Sequence, residues 1–204
     1  MLLLALDTSS PITSCALLED DKVLASSLRA EKAGDLLPAE LQRLCEEAGK
    51  TLRDVQGIAA GIGPGSFTGL RVGLASAKGL AYALKIPIAS ASSLLALSRS
   101  SEGLVCACLE ARKGELFVRL DRDGTEVWPE QVLKAAELPA KLHGLGAQVL
   151  GPGTPPPAAE IARLCLPALR GARYDEAACF ALSPNYLQPA TAETALAEGR
   201  VGKL

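Results

Sequence analysis

A glycine-rich stretch at residues 61–73, with the sequence Gly-Ile-Gly-Pro-Gly-Ser-Phe-Thr-Gly-Leu-Arg-Val-Gly, has residue types that could bind a phosphate. Such glycines bring a backbone close to a phosphate at a helix N-terminus or to another chain segment. A Walker loop needs Lys and then Ser or Thr after its last glycine, but Leu70 and Arg71 follow here. The dinucleotide fingerprint needs glycine at its sixth place, which Ser66 or Thr68 occupies. The stretch therefore matches neither nucleotide motif.

Few other groups could do chemistry. The single histidine, His143, cannot form a His/His metal pair, and its place near a helix end favours a solvated or capping role. Ser66 does not fit the Gly-x-Ser-x-Gly pattern of a nucleophile elbow. The six cysteines contain no CxxC pair, which favours small buried side chains over zinc or disulfides. They are Cys15, Cys45, Cys106, Cys108, Cys165 and Cys179. We therefore expect no catalytic residue and no metal site.

The helix predicted from about Ser66 to Leu84 carries a row of small residues. The hydroxyl of Ser66 or Thr68 would cap its start, and Pro87 would end it near Lys85. The row, with a spacing of four, consists of Gly65, Gly69, Gly73, Ala77 and Ala81. Glycine inside a helix costs about 0.5–1 kcal/mol relative to alanine, so the row implies close packing or a function. Packing within the chain and packing against another subunit both remain open.

Composition limits the classes of function. With 204 residues, of which 49% are apolar, the chain can form one large domain or two small ones. A net charge of −2 without a basic cluster disfavours autonomous tight binding of RNA, because phosphate neutralisation carries most such affinity. No apolar run reaches the roughly 18 residues of a membrane span, and the start lacks the features of a signal peptide. We expect a cytoplasmic protein without membrane contact.

Hydrophobic patterning predicts an α/β fold in two domains, 1–101 and 102–204, divided at a polar turn. The first contains strands at 2–6, 12–18, 23–28, 57–62 and 87–91 and helices at 35–48, 66–84 and 94–99. The second contains strands at 104–109, 115–120 and 148–150 and a helix at 157–169. The order β-β-β-α-β-α-β indicates a mixed sheet with helices covering its faces. The repeated hairpin start suggests two related halves, the second reduced, and the tail at 191–204 is predicted to be mobile.

Four stretches together resemble the TsaB (YeaZ) family: residues 4–10 (LALDTSS), 61–73, 77–81 (AKGLA) and 111–115 (ARKGE). The resemblance is firm over residues 1 to about 120 and looser beyond, where residues 184–188 (PNYLQ) look like the closing Pro-x-Tyr-Leu strand of that family. It implies the actin-like, ribonuclease-H-like ATPase (ASKHA) fold.

The resemblance also implies a function. Members of the family are non-catalytic accessory subunits that bind and activate TsaD, their catalytic paralogue. TsaD installs threonylcarbamoyl on the adenosine next to the anticodon of ANN-reading tRNAs, the t6A modification. The ATPase TsaE joins the complex, and TsaC-type enzymes supply threonylcarbamoyl-AMP. The resemblance implies that this chain has no cofactor of its own, although the complex uses ATP. It also implies that the chain contacts tRNA only through the complex and that it forms a homodimer when TsaD is absent.

With this resemblance, the small row becomes a predicted partner interface. Its residues are Leu36, Leu37, Leu41 and Leu44 of the first helix and Gly65, Gly69, Gly73 and Ala77 of the second. A symmetric homodimer would use the same surface and compete with the heterodimer. Replacing Gly69 or Gly73 with Leu is then expected to weaken association and leave the monomer folded, whereas loss of folding would indicate packing within the chain.

Asp7, Thr8 and Ser9 match the strand-turn at which fold relatives hold phosphate and magnesium, so they are candidates for residual nucleotide binding. The competing interpretation, which we favour, is a turn whose Asp and Ser side chains bond nearby backbone amides. Where TsaD has a metal-binding His-x-x-x-His pair, this chain has Ser93 and Leu97, neither of which supplies an imidazole.

Two alternative functions remain. An independent ASKHA-type ATPase or protease-like enzyme would need a metal or a nucleophile with a base, which the scarcity of candidate residues disfavours. A stand-alone tRNA-binding module is disfavoured by the acidic balance. Arg71 could form a salt bridge across the interface or be a surface arginine without a role.

Overall fold

A computed structural model describes residues 1–30 and 33–188, with the backbone alone at 33–36. The side chain of Leu36 and the predicted mobile tail at 191–204 lie outside the described residues. The first part of the chain forms β1 (Leu2–Asp7), β2 (Thr13–Glu19), β3 (Lys22–Arg29), α1 (Ala33–Glu47), β4 (Gly57–Gly61), α2 (Phe67–Leu84), β5 (Ile88–Ala91) and α3 (Ser93–Ser98). The remainder forms β6 (Leu104–Glu110), β7 (Glu115–Arg122), β8 (Thr125–Lys134), α4 (Leu138–Leu142), β9 (Gln148–Leu150), α5 (Ala158–Leu169) and α6 (Glu176–Ala181).

The first sheet has five strands in the order β3-β2-β1-β4-β5. β1 pairs antiparallel with β2 and parallel with β4, and β4 pairs parallel with β5. Every residue of β1 is buried, and all of them except the last, Asp7, are apolar instead of alternating with polar residues. Its even-numbered leucines pack in a core beneath α1 and α2, whereas Leu3 and Ala5 pack on the opposite face. The central strand thus has helices on both sides.

The second sheet repeats this topology with one strand fewer. Its order is β8-β7-β6-β9, with β6 antiparallel to β7 and parallel to β9. β6, β7, β8 and β9 therefore correspond to β1, β2, β3 and β4, and no described strand corresponds to β5. The prediction of an ASKHA-type fold with two related halves, the second reduced, is confirmed.

Strand β8, which contains Pro129, was not predicted from the sequence. Proline cannot donate a hydrogen bond to a neighbouring strand and is tolerated at a sheet edge, which is where β8 lies. Of the short helix α4 only an end near His143 was predicted, and α6 was not predicted. Each has five or six residues, too few for a helical hydrophobic pattern to be recognised.

Helix α5 packs on the first sheet, although it follows the second sheet in the chain. Ile161, Ala162 and Cys165 lie in one apolar cluster with Leu3 and Ala5 of β1. The predicted boundary at 101/102 falls between α3 and β6, but packing does not follow it. α5, which comes from the second half of the chain, thus completes the core of the first half.

An ion cluster around the buried Glu40 connects α1 to β3. Glu40 is 4% exposed and accepts hydrogen bonds from Arg43 Nε at 3.2 Å and Nη2 at 2.8 Å. Arg29 Nε lies 3.4 Å from the same carboxylate. Hydrogen bonding to Arg43 is the main cause that lowers the pKa of Glu40 from its ordinary 4.5 to about 2. The cluster holds the middle of α1 against the edge strand β3.

Among the described helices, none is both long and apolar enough to cross a membrane.

Candidate functional site

The residues whose types could do chemistry meet at one edge of the first sheet. β1, β4 and β5 are parallel, so their carboxyl ends lie side by side. The turn 7–9 ends β1, the glycine turn 61–65 follows β4, and Ser92 caps α3 after β5. Ligands of open α/β sheets bind at this edge, which makes it the candidate site.

Asp7 lies at the centre of this edge, with no exposed surface. Its Oδ1 accepts hydrogen bonds from Ser9 N at 2.9 Å and Ser9 Oγ at 2.6 Å, and its Oδ2 accepts one from Ser93 Oγ at 2.5 Å. Burial raises the pKa of Asp7, and these hydrogen bonds act against that rise. The contact from Ser9 N is the side-chain to backbone bond that the sequence favoured. Both carboxylate oxygens are engaged within the chain.

Ser93 is a site residue whose contact with Asp7 the sequence analysis missed. It is fully buried, and besides donating to Asp7 its Oγ accepts a hydrogen bond from Gly63 N at 3.0 Å. It holds the place that the resemblance gives to a metal-binding histidine of the paralogue. The second such place, Leu97, lies in an apolar cluster with Leu94. The Ser93 hydroxyl thus connects the turn after β1 to the glycine turn after β4.

The glycines of α2 approach the turn that follows β1. A Cβ atom at Gly69 would lie 2.2 Å from Thr8 O, and one at Gly73 would lie 2.1 Å from Thr8 Oγ1. A Cβ at Gly65 would lie 2.2 Å from Ser9 O. Thr8 Oγ1 also donates to Gly69 O at 2.8 Å. The close approach is therefore made within the chain.

Most of the side chains predicted as a partner interface are therefore packed inside the chain. The side chains of Leu37, Leu41, Leu44 and Ala77 are at most 1% exposed. These side chains project from α1 and α2 onto β1 and β2, where a partner protein cannot reach them. Replacement of Gly69 or Gly73 with Leu would collide with Thr8, so we now expect it to damage the fold itself.

The opposite face of α2 is open. We call Arg71, Ala75, Gly79 and Ala83, which are spaced by four and all exposed, the outer row. A Cβ atom at Gly79 would have no heavy atom within 4 Å. Beside this row, Tyr82 and Phe180 are 44% and 55% exposed, with ring centroids 5.7 Å apart. The outer row is thus a shallow surface edged by two aromatic rings.

Residues 184–188, which we call the closing segment, connect the glycine turn to the second half. Asn185 N donates to Ile62 O at 2.7 Å, and Asn185 Nδ2 donates to Glu130 Oε2 at 2.7 Å. The Tyr186 ring stacks on Phe67 with centroids 5.1 Å apart. A cavity of about 200 Å³ lies between the glycine turn, the β6–β7 turn and this segment. The closing segment therefore bridges the cleft between the two halves.

Within residues 1–30 and 33–188, no three His, Cys, Asp or Glu side chains converge as a bound metal ion would require. All six cysteines are buried and free, as predicted from their spacing. His143 is exposed at the C-terminal end of α4.

Known proteins share this sequence and this fold. A protein-family model described as TsaD, tRNA N6-adenosine threonylcarbamoyltransferase, matches residues 30–173. The tRNA threonylcarbamoyladenosine biosynthesis protein TsaB of Escherichia coli K12 is 31% identical over 159 residues, which cover 74% of this chain and 68% of that protein. The TsaB protein of Bacillus subtilis 168 is 36% identical over 126 residues, 59% of this chain and 55% of that protein. The structure of YeaZ from Pseudomonas aeruginosa superposes with a TM-score of 0.74 at 27% identity, covering 91% of this chain and 99% of that chain.

Proposed function

The chain belongs to the TsaB (YeaZ) family, and from that premise we propose that it acts in tRNA threonylcarbamoyladenosine biosynthesis as a non-catalytic subunit. The observation that carries the proposal is the state of Asp7. Its carboxylate is buried and bonded to Ser9 and Ser93 at the edge where the resemblance places the metal and phosphate chemistry of the paralogue. Ser93 supplies a hydroxyl where catalysis there would need an imidazole ligand.

In this proposal the chain binds and activates TsaD in the cytoplasm, and TsaE joins the complex. ATP is used by the complex, and tRNA is reached through it, because the net charge of −2 gives the isolated chain little attraction for phosphate. The match to a TsaD family model supports the view that this chain and TsaD are related in sequence.

We assign the partner surface to the outer row of α2 and not to the buried row. Gly79 is open to solvent, and the exposed rings of Tyr82 and Phe180 beside it provide the aromatic area that is enriched at interface centres. A second copy of the chain would use the same surface in the absence of TsaD. Homodimer and heterodimer would then exclude each other.

The test is to mix the purified chain with TsaD of the same organism and to measure mass by light scattering. Threonylcarbamoyl transfer to tRNA is then followed with TsaE and ATP. We expect a one-to-one complex and activity that vanishes when this chain is omitted. Gly79→Leu should abolish the complex while the monomer stays folded. Val127→Ser, at an exposed position of β8 in the second sheet, is the control that should bind normally.

Absence of a complex, together with undiminished modification without this chain, would overturn the proposal. ATP hydrolysis by the isolated chain would instead support the enzyme alternative, and salt-sensitive tRNA binding without a partner would support the RNA-binding one.

A further inference from the structure

Arg71, at the start of the outer row, is held in place by the closing segment. Its guanidinium carbon lies 3.8 Å from the centroid of the Phe67 ring, and its Nε donates to Tyr186 Oη at 3.0 Å. The Tyr186 ring in turn stacks on the Phe67 ring, with centroids 5.1 Å apart. An exposed arginine on a helix ordinarily samples many rotamers, but here an aromatic ring and a hydrogen bond fix the side chain.

The fixed guanidinium retains most of its hydrogen-bonding capacity. Of its five N–H donors, one is used by Tyr186. No hydrogen bond or ion pair joins the two Nη nitrogens to any residue in the described ranges, and the side chain is exposed. Two parallel N–H groups are suited to both oxygens of a carboxylate. Because the Arg71 side chain is already held in one conformation, it loses less conformational entropy on binding than an unrestrained arginine would.

The charge of α2 points to an acidic surface on the partner. Between Phe67 and Leu84 the helix has two basic residues, Arg71 and Lys78, and no Asp or Glu, and Lys85 caps its end. We propose that Arg71 is a pre-organised recognition residue for an Asp or Glu carboxylate on the surface of TsaD that covers the outer row, with Tyr186 as its positioning residue. This inference rests on the function proposed above.

A carboxylate is a better match for Arg71 than an RNA phosphate. Tight binding of RNA requires several cations that neutralise successive phosphates. Around Arg71 the outer row is formed by alanine and glycine, whose small side chains favour close approach of a protein surface. Binding hot spots near interface centres are enriched in tryptophan, tyrosine and arginine, and here Arg71 contacts Phe67 and Tyr186.

The test measures the affinity for TsaD by calorimetry, using the full chain and four variants. Arg71→Gln should weaken binding about tenfold, equivalent to about 1.4 kcal/mol. Arg71→Lys should show most of the same tenfold loss of affinity, because an ammonium group cannot form the paired contact with a carboxylate. Tyr186→Phe, which keeps the ring and loses the hydroxyl, should weaken binding several-fold. Arg122→Gln, the same charge change at an exposed position of β7, should have no effect.

Two further readouts separate recognition from a structural role. The thermal midpoint of Arg71→Gln should match that of the unaltered chain, and its TsaD affinity should depend less on NaCl concentration. If the unaltered chain binds TsaD and Arg71→Gln binds equally well, this inference is overturned and the proposed function stands. If the unaltered chain does not bind, the proposed function fails. If Arg71→Gln weakens tRNA binding but not TsaD binding, a phosphate and not a carboxylate is the ligand.

Discussion

At the scale of single residues, the glycines of α2 differ sharply in what surrounds them. Gly73 faces Thr8 so closely that a methyl group cannot enter without a shift of the turn after β1, whereas Gly79 faces open space. Both are interior helical glycines with a negative φ, so their backbones accept alanine equally well. Only the distance to neighbouring atoms separates them.

We therefore expect Gly73→Ala to destabilise the isolated chain by about 1–3 kcal/mol, the usual range for overpacking a filled site. Gly79→Ala should instead raise the free energy of unfolding by about 0.5–1 kcal/mol, because alanine has the better helix propensity. Urea denaturation of both variants measures the difference. Equal stability of the two would contradict the packing of α2 on Thr8.

At the scale of elements, α1 depends on the ion cluster around Glu40. The folded pKa of Glu40 is about 2 and lies below its ordinary 4.5. A lowered carboxyl pKa means that the carboxylate stabilises the fold fully above pH 4.5, and that this contribution is lost as the pH falls towards 2.

Glu40→Gln should thus lower the urea midpoint at pH 7, and the gap to the unaltered chain should narrow steadily between pH 4.5 and pH 2. Glu47→Gln is the matched control, since it removes an exposed contact with the same Arg43 and such pairs contribute little. A gap for Glu40→Gln that stays constant down to pH 2 would show that the carboxylate charge does not stabilise α1.

Local sequence patterns predict the elements that are long or that carry capping residues at their ends. α2 begins after Ser66, whose hydroxyl accepts a hydrogen bond from Gly69 N, and it ends before Lys85, close to the prediction. The side of α2 that faces inward could not be predicted in the same way. A row of small residues indicates that another segment packs closely against it, but does not identify that segment. The neighbour, Thr8, lies 61 positions from Gly69 in the sequence.

The same limit explains the missed part of the candidate site. The turn chemistry of Asp7 and Ser9 is local, two residues apart, and was visible in the sequence. The contact between Asp7 and Ser93 spans 86 positions and exists only because β1, β4 and β5 end at one edge. The available signal was the match of Ser93 to a metal ligand of the paralogue, which marked the position but did not identify its contact with Asp7.

At the scale of the whole molecule, Glu130 joins parts that are distant in sequence. It accepts hydrogen bonds from Ser92 Oγ at the start of α3 and from Asn185 Nδ2 in the closing segment, and it lies 3.8 Å from Arg119 Nη1 of β7. The two halves and the closing segment therefore share one carboxylate.

Glu130→Ala should raise amide hydrogen exchange at both the start of α3 and the closing segment, because each loses a partner at once. Glu126→Ala is the control, as Glu126 contacts Arg119 Nη1 at 3.0 Å but is half exposed and has no recorded bond to either of those segments within the described residues. If the increase in exchange were confined to one of the two segments, Glu130 would not couple them.

The packing of α5 on the first sheet has a consequence for how the chain is made. On a ribosome, β1 to β5 emerge long before α5, and at about 5–20 residues per second the interval is on the order of ten seconds. During that time the apolar face formed by Leu3, Ala5 and Leu18 has no cover from the helix that will bury it. The nascent first half therefore exposes a surface that chaperones bind, and its fold is completed only after the second sheet has been synthesised.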